Sequence, residues 1–310
     1  MKILITGCAG FIGSSLCDKL CKRGDLIIGI DNLNSYYDIQ KKQKNLKKLN
    51  KYNNFTFIKD DLITTNIIKE HNFDTVVNIG AIAGVRNSIQ NPEIYIRTNT
   101  EGQIHLLKEC VENKVKHFVY ASSSSVYGNN KIPFNEKDDI IDQTSPYALS
   151  KLFSEKIAEF YSKNYNISTI GLRFFTVYGP NGRPDMAPYK FLKAIIDEKP
   201  LDKYGDGLSG RDYTYIDDIV DGIISAIDNK MNKKCEIYNL GNSESISLNQ
   251  FIETCEKVVG KKAIINQMDK QEGDTHMTCA DITKAKNDLN YNPKIKLEEG
   301  LKMTYQSFLN

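Results

Sequence analysis

Met1-Lys2-Ile3-Leu4-Ile5-Thr6-Gly7-Cys8-Ala9-Gly10-Phe11-Ile12-Gly13 decides the fold. Four apolar or β-branched residues, Ile3 to Thr6, read as a buried strand, and the glycines that follow stop it. Gly7 permits a tight turn, Gly10 lets backbone amides approach a pyrophosphate, and Gly13 lets the next helix lie close to the sheet. The helix N-terminus then faces the phosphates. A second strand, Leu26 to Ile30, ends in Asp31, where a carboxylate accepts hydrogen bonds from an adenosine ribose and repels a 2′-phosphate. Strand, loop, helix, strand and acid occur in the order a dinucleotide site requires, and NAD is favoured over NADP.

The pattern continues outward. Further strands are expected at Phe55 to Lys59, Thr75 to Ile79, His117 to Ala121 and Thr169 to Arg173, with helices over Phe11 to Cys21, Pro92 to Val111 and Tyr147 to Lys163. This alternation predicts an α/β fold, a doubly wound parallel sheet covered on both faces. The second half predicts helices near Pro188 to Asp197, Ile216 to Ile227, Leu248 to Val259 and Glu298 to Phe308, and a strand at Glu236 to Leu240. No long linker separates the halves. The expected division is an NAD-binding domain of residues 1–174 with about 212–242, and a smaller C-terminal α/β substrate domain of 175–211 with about 243–310.

The 310 residues are 40% hydrophobic and 26% charged, with a net charge of +2. That balance predicts no attraction to nucleic acid or anionic membrane. No apolar run approaches the ~20 residues that span a bilayer. The lysine run at Lys41, Lys42, Lys44, Lys47 and Lys48 reads as the solvated face of a helix. Seven cysteines without a Cys-x-x-Cys pair suit a reducing, cytoplasmic setting. Cys8 reads as a packing residue. The four histidines show no metal-ligand spacing, so no metal is expected.

Chemistry gathers at three places. In Ser145-Pro146-Tyr147-Ala148-Leu149-Ser150-Lys151, Ser145 suits a helix cap and Pro146 the first turn. Tyr147 and Lys151 then share one face, and an ammonium beside a phenol makes a tuned proton acceptor. Ser122 to Ser125 follow a strand, where a hydroxyl relays a proton between substrate and Tyr147. Arg173 to Met186 reads as an irregular loop in which Arg183 grips a carboxylate or phosphate or forms a surface salt bridge; Arg211 has the same choice. Asp60-Asp61-Leu62 either contacts adenine or caps the next helix.

Together these residues resemble the extended short-chain dehydrogenase/reductase superfamily, its nucleotide-sugar epimerases, and among them the UDP-glucuronate 4-epimerases. The resemblance runs over nearly the whole chain. It rests on Asp31 to Asp38, Ala83-Gly84-Val85-Arg86 with Asn91-Pro92, Arg173 to Met186, and Arg211 to Asp218. It implies Ser123, Tyr147 and Lys151 as the catalytic set. It places NAD against Gly7, Gly10, Phe11, Ile12, Gly13, Asp31, Asn32, Asp61, Leu62, Gly80, Ala81, Asn99, Tyr147, Lys151 and Phe174. For the UDP-sugar it implies Arg86, Ser124, Ser125, Thr176, Arg183, Met186, Arg211 and Asp274. Homodimerisation is implied as well. The chain departs from the subgroup at Asn181, where tryptophan is usual, at Asn78 and Gly80, which replace His and Ala, and at Gln271-Glu272-Gly273-Asp274, which lacks a proline. Related dehydratases carry Asp-Glu where this chain has Ser124-Ser125, which argues against loss of water. The implied activity is NAD-dependent 4-epimerisation of a UDP-sugar, UDP-glucuronate foremost. Next come a neutral-sugar 4-epimerase, a UDP-glucuronate decarboxylase and a non-catalytic NAD sensor.

Overall fold

A computed structural model describes residues 1–229, 235–269 and 277–309. Seven strands form the main sheet: β1 (Lys2–Thr6), β2 (Leu26–Ile30), β3 (Phe55–Ile58), β4 (Thr75–Asn78), β5 (His117–Ser123), β6 (Ser168–Phe174) and, further along the chain, Cys235–Leu240. Every pairing in it is parallel. β1 pairs with both β2 and β4, so the winding reverses there and opens a crevice beyond the carboxyl ends of the strands.

Helices α1 (Phe11–Arg23), α2 (Ile39–Leu49), α3 (Ile67–Glu70), α4 (Val85–Gln90), α5 (Pro92–Ile96), α6 (Gly102–Glu112) and α7 (Pro146–Asn164) fill the first half. Alternation along each strand loads both faces of the sheet. Ile3, Ile5, Val119 and Ala121 join one core with Leu16 and Leu20 of α1. Leu4, Phe118 and Tyr120 join the other with Leu106 and Leu107 of α6. The sequence reading places β1 to β6, α1 and α7 within two residues at most ends, gives no bounds for α2 and has no counterpart for the short α3 and α4. One departure is internal: the helix expected over Pro92 to Val111 contains a π turn, Arg97–Glu101, between α5 and α6.

The remaining elements are β7 (Thr176–Tyr178), α8 (Ala187–Ile196), β8 (Pro200–Tyr204), β9 (Gly210–Tyr215), α9 (Ile216–Asp228), β10 (the Cys235–Leu240 strand), β11 (Ser245–Ser247), α10 (Leu248–Val259), β12 (Ile264–Met268), α11 (Thr283–Leu289) and α12 (Leu297–Leu309). β7, β9 and β11 make a small mixed sheet; β8 and β12 make a two-stranded one. Only Phe175 separates β6 from β7, so the stretch expected to be irregular after Arg173 begins as a strand. α9 covers the first core with Ile219, Val220, Ile223 and Ile227, each fully buried side chain worth roughly 1.5–3 kcal/mol. Asp212 of β9 is fully buried, and it accepts from the amides of Asn242, Ser243 and Ala280 and from the Thr214 hydroxyl. One carboxylate thus ties β9 to the segments that follow β10 and residue 277. No helix among the described residues is long and apolar enough to cross a membrane.

Candidate active site

One cleft of about 410 Å³ runs over the carboxyl ends of β1, β2, β4, β5 and β6 and out to the small sheet. Its cofactor end is built by the glycine loop. Gly7 has φ 67°, and a side chain there would meet Gly80 Cα at 2.8 Å. A Cβ on Gly13 would lie 2.1 Å from the Gly7 carbonyl oxygen. Both contacts require glycine. Gly10 caps α1 with no side-chain hydrogen bond, and no acid occupies the first turn. The free amides at this helix end suit a pyrophosphate.

Asp31 closes β2, buried, accepting from Leu33 N at 2.8 Å and Ala9 N at 3.3 Å. Its third partner is the Lys42 ammonium at 3.3 Å. The lysine run is therefore only partly a solvated face. Lys44, Lys47 and Lys48 are exposed, but Lys42 is buried and joins the inward stripe of Asn45, Leu46 and Leu49. The spacing of Lys42 to Leu46 and Leu49 was the signal for it. Asp60, not Asp61, lines the cleft. Asp61 accepts from Ile63 N and from the Asn32 amide, each at 2.9 Å, so it fixes the turn and orients Asn32.

The centre of the cleft comes from β5 and α7. Ser145 caps α7 by accepting from Ala148 N at 3.1 Å, and Pro146 occupies the first turn. Tyr147 and Lys151 then point to the cleft together. Ser123 caps the 3-10 turn Ser124–Tyr127, accepting from Ser125 N at 3.2 Å and Ser125 Oγ at 3.0 Å. Its own proton is thereby left to donate. Burial raises the Tyr147 phenol, and the Ser123 hydrogen bond and the Arg183 charge oppose that rise. Lys151 Nζ donates to the Ala121 carbonyl at 2.8 Å, and burial pulls its ammonium down to about 8 against the opposing charge of Glu155. Below them, Glu155 takes Arg173 in a two-pronged pair, both bonds 2.8 Å, and accepts from Ser122 at 2.5 Å. Cys8 is fully buried and its thiol is raised by burial, as a packing residue should be.

The far end carries Ser124, Ser125, Thr176, Arg183, Met186 and Arg211. Arg183 is held by Asp185 and by the Ala83 carbonyl, 3.0 Å from Nη2. Arg211 donates to Gly210 O. Gly7, Gly10, Phe11, Ile12, Gly13, Asn32, Leu62, Gly80, Ala81 and Phe174 also line the cleft, so most of the expected site converges. Asn99 and Arg86 do not line it. The π turn aims Asn99 at the Ile82 amide and carbonyl, each 2.9 Å away, and at Ser150 Oγ, 3.0 Å away. Arg86 packs its guanidinium 5.1 Å from the Tyr204 ring centroid. Asp274, with Gln271 to Gly273, lies outside the described residues. Asn181 is exposed at φ 62°, off the cleft lining, in a left-handed turn that asparagine tolerates. Asn78 is buried between Thr6 and Gln103. No His, Cys, Asp or Glu cluster among the described residues forms a metal site.

A glycine-loop nucleotide site joined in one crevice to Ser123, Tyr147 and Lys151 defines an extended short-chain dehydrogenase/reductase, and the cradle fits NAD. A family model described as GDP-mannose 4,6 dehydratase matches residues 4–304, and the chain belongs to that family. It is 46% identical to an uncharacterized protein of Methanocaldococcus jannaschii, over 99% of this chain and 96% of the relative. It is 41% identical to the UDP-glucuronate 4-epimerase of Thermodesulfobacterium geofontis, over 97% and 94%. The crystal structure of the UDP-glucuronic acid 4-epimerase from Bacillus cereus in complex with UDP-glucuronic acid and NAD superposes with a TM-score of 0.96 at 38% identity, covering 100% of this chain and 99% of that one.

Proposed function

We propose that this protein catalyses the reversible, NAD-dependent 4-epimerisation of UDP-glucuronate to UDP-galacturonate. The carrying observation is that a single cleft contains the glycine loop with Asp31, the Ser123–Tyr147–Lys151 set, and the hydroxyls and guanidinium of Ser124, Ser125, Thr176 and Arg183. The relatives named above support it. Bound NAD supplies reversible hydride acceptance at C4 of the sugar. Tyr147 takes the 4-hydroxyl proton with Ser123 bridging, and Lys151 provides the cation beside them. The 4-keto sugar turns about its pyrophosphate, presents its other face, and Tyr147 returns the proton. Ser124 and Ser125 stand where a dehydratase needs an acid and a base, so water is retained.

A 4-ketouronate is a β-keto acid that can lose carbon dioxide. Arg183, Thr176 and the serines hold its carboxylate so that the breaking bond is out of alignment with the carbonyl. Arg183→Ala and Thr176→Ala should therefore raise the pentose yield relative to epimerisation, and an unchanged ratio refutes that role. The decisive experiment incubates the purified protein, without added NAD, with each UDP-sugar and identifies products by NMR. UDP-galacturonate from UDP-glucuronate is expected; turnover of neutral UDP-sugars alone overturns the substrate.

The same reading takes residues 1–174 with about 212–242 as the NAD-binding part, supported by the membership of β10 in the main sheet. It places the enzyme in the cytoplasm, in keeping with seven free cysteines. It also makes the protein a homodimer. Leu149, Phe153 and Phe160 form an exposed apolar stripe on the face of α7 opposite Tyr147, beside exposed Ile94 and Ile96 of α5. Light scattering of wild type and Phe153→Glu tests this: a monomeric wild type at micromolar concentration removes the dimer.

A further inference from the structure

Tyr36 lies in the segment that follows β2 and Asp31, yet its side chain reaches the sugar end of the cleft. Its amide donates to Asn34 Oδ1 at 3.2 Å, and that oxygen also accepts from Lys42 at 3.3 Å, the ammonium that meets Asp31. The Tyr36 hydroxyl donates to the Ala83 carbonyl at 2.6 Å and lies 2.9 Å from the Tyr95 hydroxyl. Arg183 Nη2 donates to the same Ala83 carbonyl, and the guanidinium carbon is 5.3 Å from the centroid of the Tyr36 ring. Tyr95, fully buried, sets its ring edge against Tyr147 at 6.1 Å and 73°. Gly84 makes this approach possible: its φ is 130°, and a side chain there would stand 3.0 Å from the Tyr36 hydroxyl.

We propose that Tyr36 is a positioning residue that holds the Arg183 guanidinium in place for the substrate carboxylate. Asp185, the Ala83 carbonyl and the Tyr36 ring fix the guanidinium from three directions. An arginine held in this way loses little freedom when an anion arrives. Tyr36 itself touches no reacting atom. The inference rests on the reading of Arg183 as the partner of the uronate carboxylate.

The test is a double-mutant cycle on kcat/KM for UDP-glucuronate, with the NAD content of each purified protein measured alongside. Tyr36→Leu should lower kcat/KM roughly tenfold, while Tyr36→Phe, which keeps the ring, should stay within about threefold. NAD content should not change. When Arg183 is already Ala, Tyr36→Leu should add no further loss. If Tyr36→Leu folds poorly, Tyr36→Met keeps the volume without the aromatic face and serves the same comparison. An equal loss on both backgrounds, or a Phe variant as poor as Leu, overturns the role of Tyr36 and leaves the substrate reading standing. An Arg183→Ala enzyme with unaltered kcat/KM overturns both.

Discussion

Lys151→Met should stabilise the protein while abolishing its turnover. Lys151 is 5% exposed, and the one described hydrogen bond of its ammonium is to the Ala121 carbonyl. Burial lowers it from 10.5 to about 8. A fall of that size is a cost of about 3 kcal/mol to the folded chain with the ammonium charged. Below pH 8 both folded and unfolded lysine are charged, and the cost is full. Between about 8 and 10.5 the folded lysine is neutral while the unfolded one is charged, so the cost shrinks. Above 10.5 it vanishes. Methionine has a similar volume and no charge, but it removes the hydrogen bond to the Ala121 carbonyl, at roughly 1 kcal/mol. The net gain below pH 8 is then about 2 kcal/mol, or near 3 °C in Tm for a chain of this size. Thermal unfolding of NAD-stripped wild type and variant at pH 6.5 and 9.5 measures it. The Tm difference should favour methionine at pH 6.5 and shrink or reverse at 9.5. A variant less stable at pH 6.5, or a difference independent of pH, refutes the argument that Lys151 is held charged at the expense of stability.

Tyr147→Phe should cut turnover by about 10²–10⁴-fold with NAD still bound; near-normal turnover removes Tyr147 from the mechanism. Gly13→Ala forces the glycine loop apart, because the new methyl carbon would sit 2.1 Å from Gly7 O. NAD recovered from the purified variant should fall at least about tenfold, since the amides no longer converge on the pyrophosphate, and wild-type stoichiometry refutes this. Glu155→Gln leaves Arg173 without its counter-ion in a buried site and should cost about 3–5 kcal/mol, a Tm drop of roughly 5–8 °C by calorimetry. A drop below about 2 °C contradicts the assignment.

The parallel sheet was legible because its strands are short apolar runs punctuated by glycine and acid, and because α1 and α7 carry caps in plain sight. The small sheets were not. β8 and β12 are half polar, β7 and β11 have three residues each, and the pairings join segments far apart in the chain. Local pattern contains no trace of such partners. In the site, Tyr147 and Lys151 stood out by residue type and spacing, while the serine run left its active member open and the resemblance singled out Ser123. Tyr36 did not stand out, because it looks like a surface residue until the segment after β2 folds back over the cleft; Lys42 left a signal only in its spacing to Leu46 and Leu49, which the charge of the lysine run masked. Asn99 was expected in the site only through the resemblance; it lies off the cleft lining, and its contact with Ile82 and Ser150 depends on the π turn, which periodicity alone does not reveal.

That turn constrains how the sequence can change over time. A π turn holds one residue more than the α turn it replaces. Deleting one residue from Arg97 to Glu101 would let the gap close as an ordinary α turn, with the flanking helices still in phase. Tyr95 would stay against Tyr147, and Gly102 against Leu62, where a side chain at 102 has no room. The loss would fall on Asn99, whose aim at Ile82 and Ser150 depends on the bulge. Exposed Arg97 and Glu101 can be exchanged freely. Here an added residue, more than a changed one, is what descent must keep.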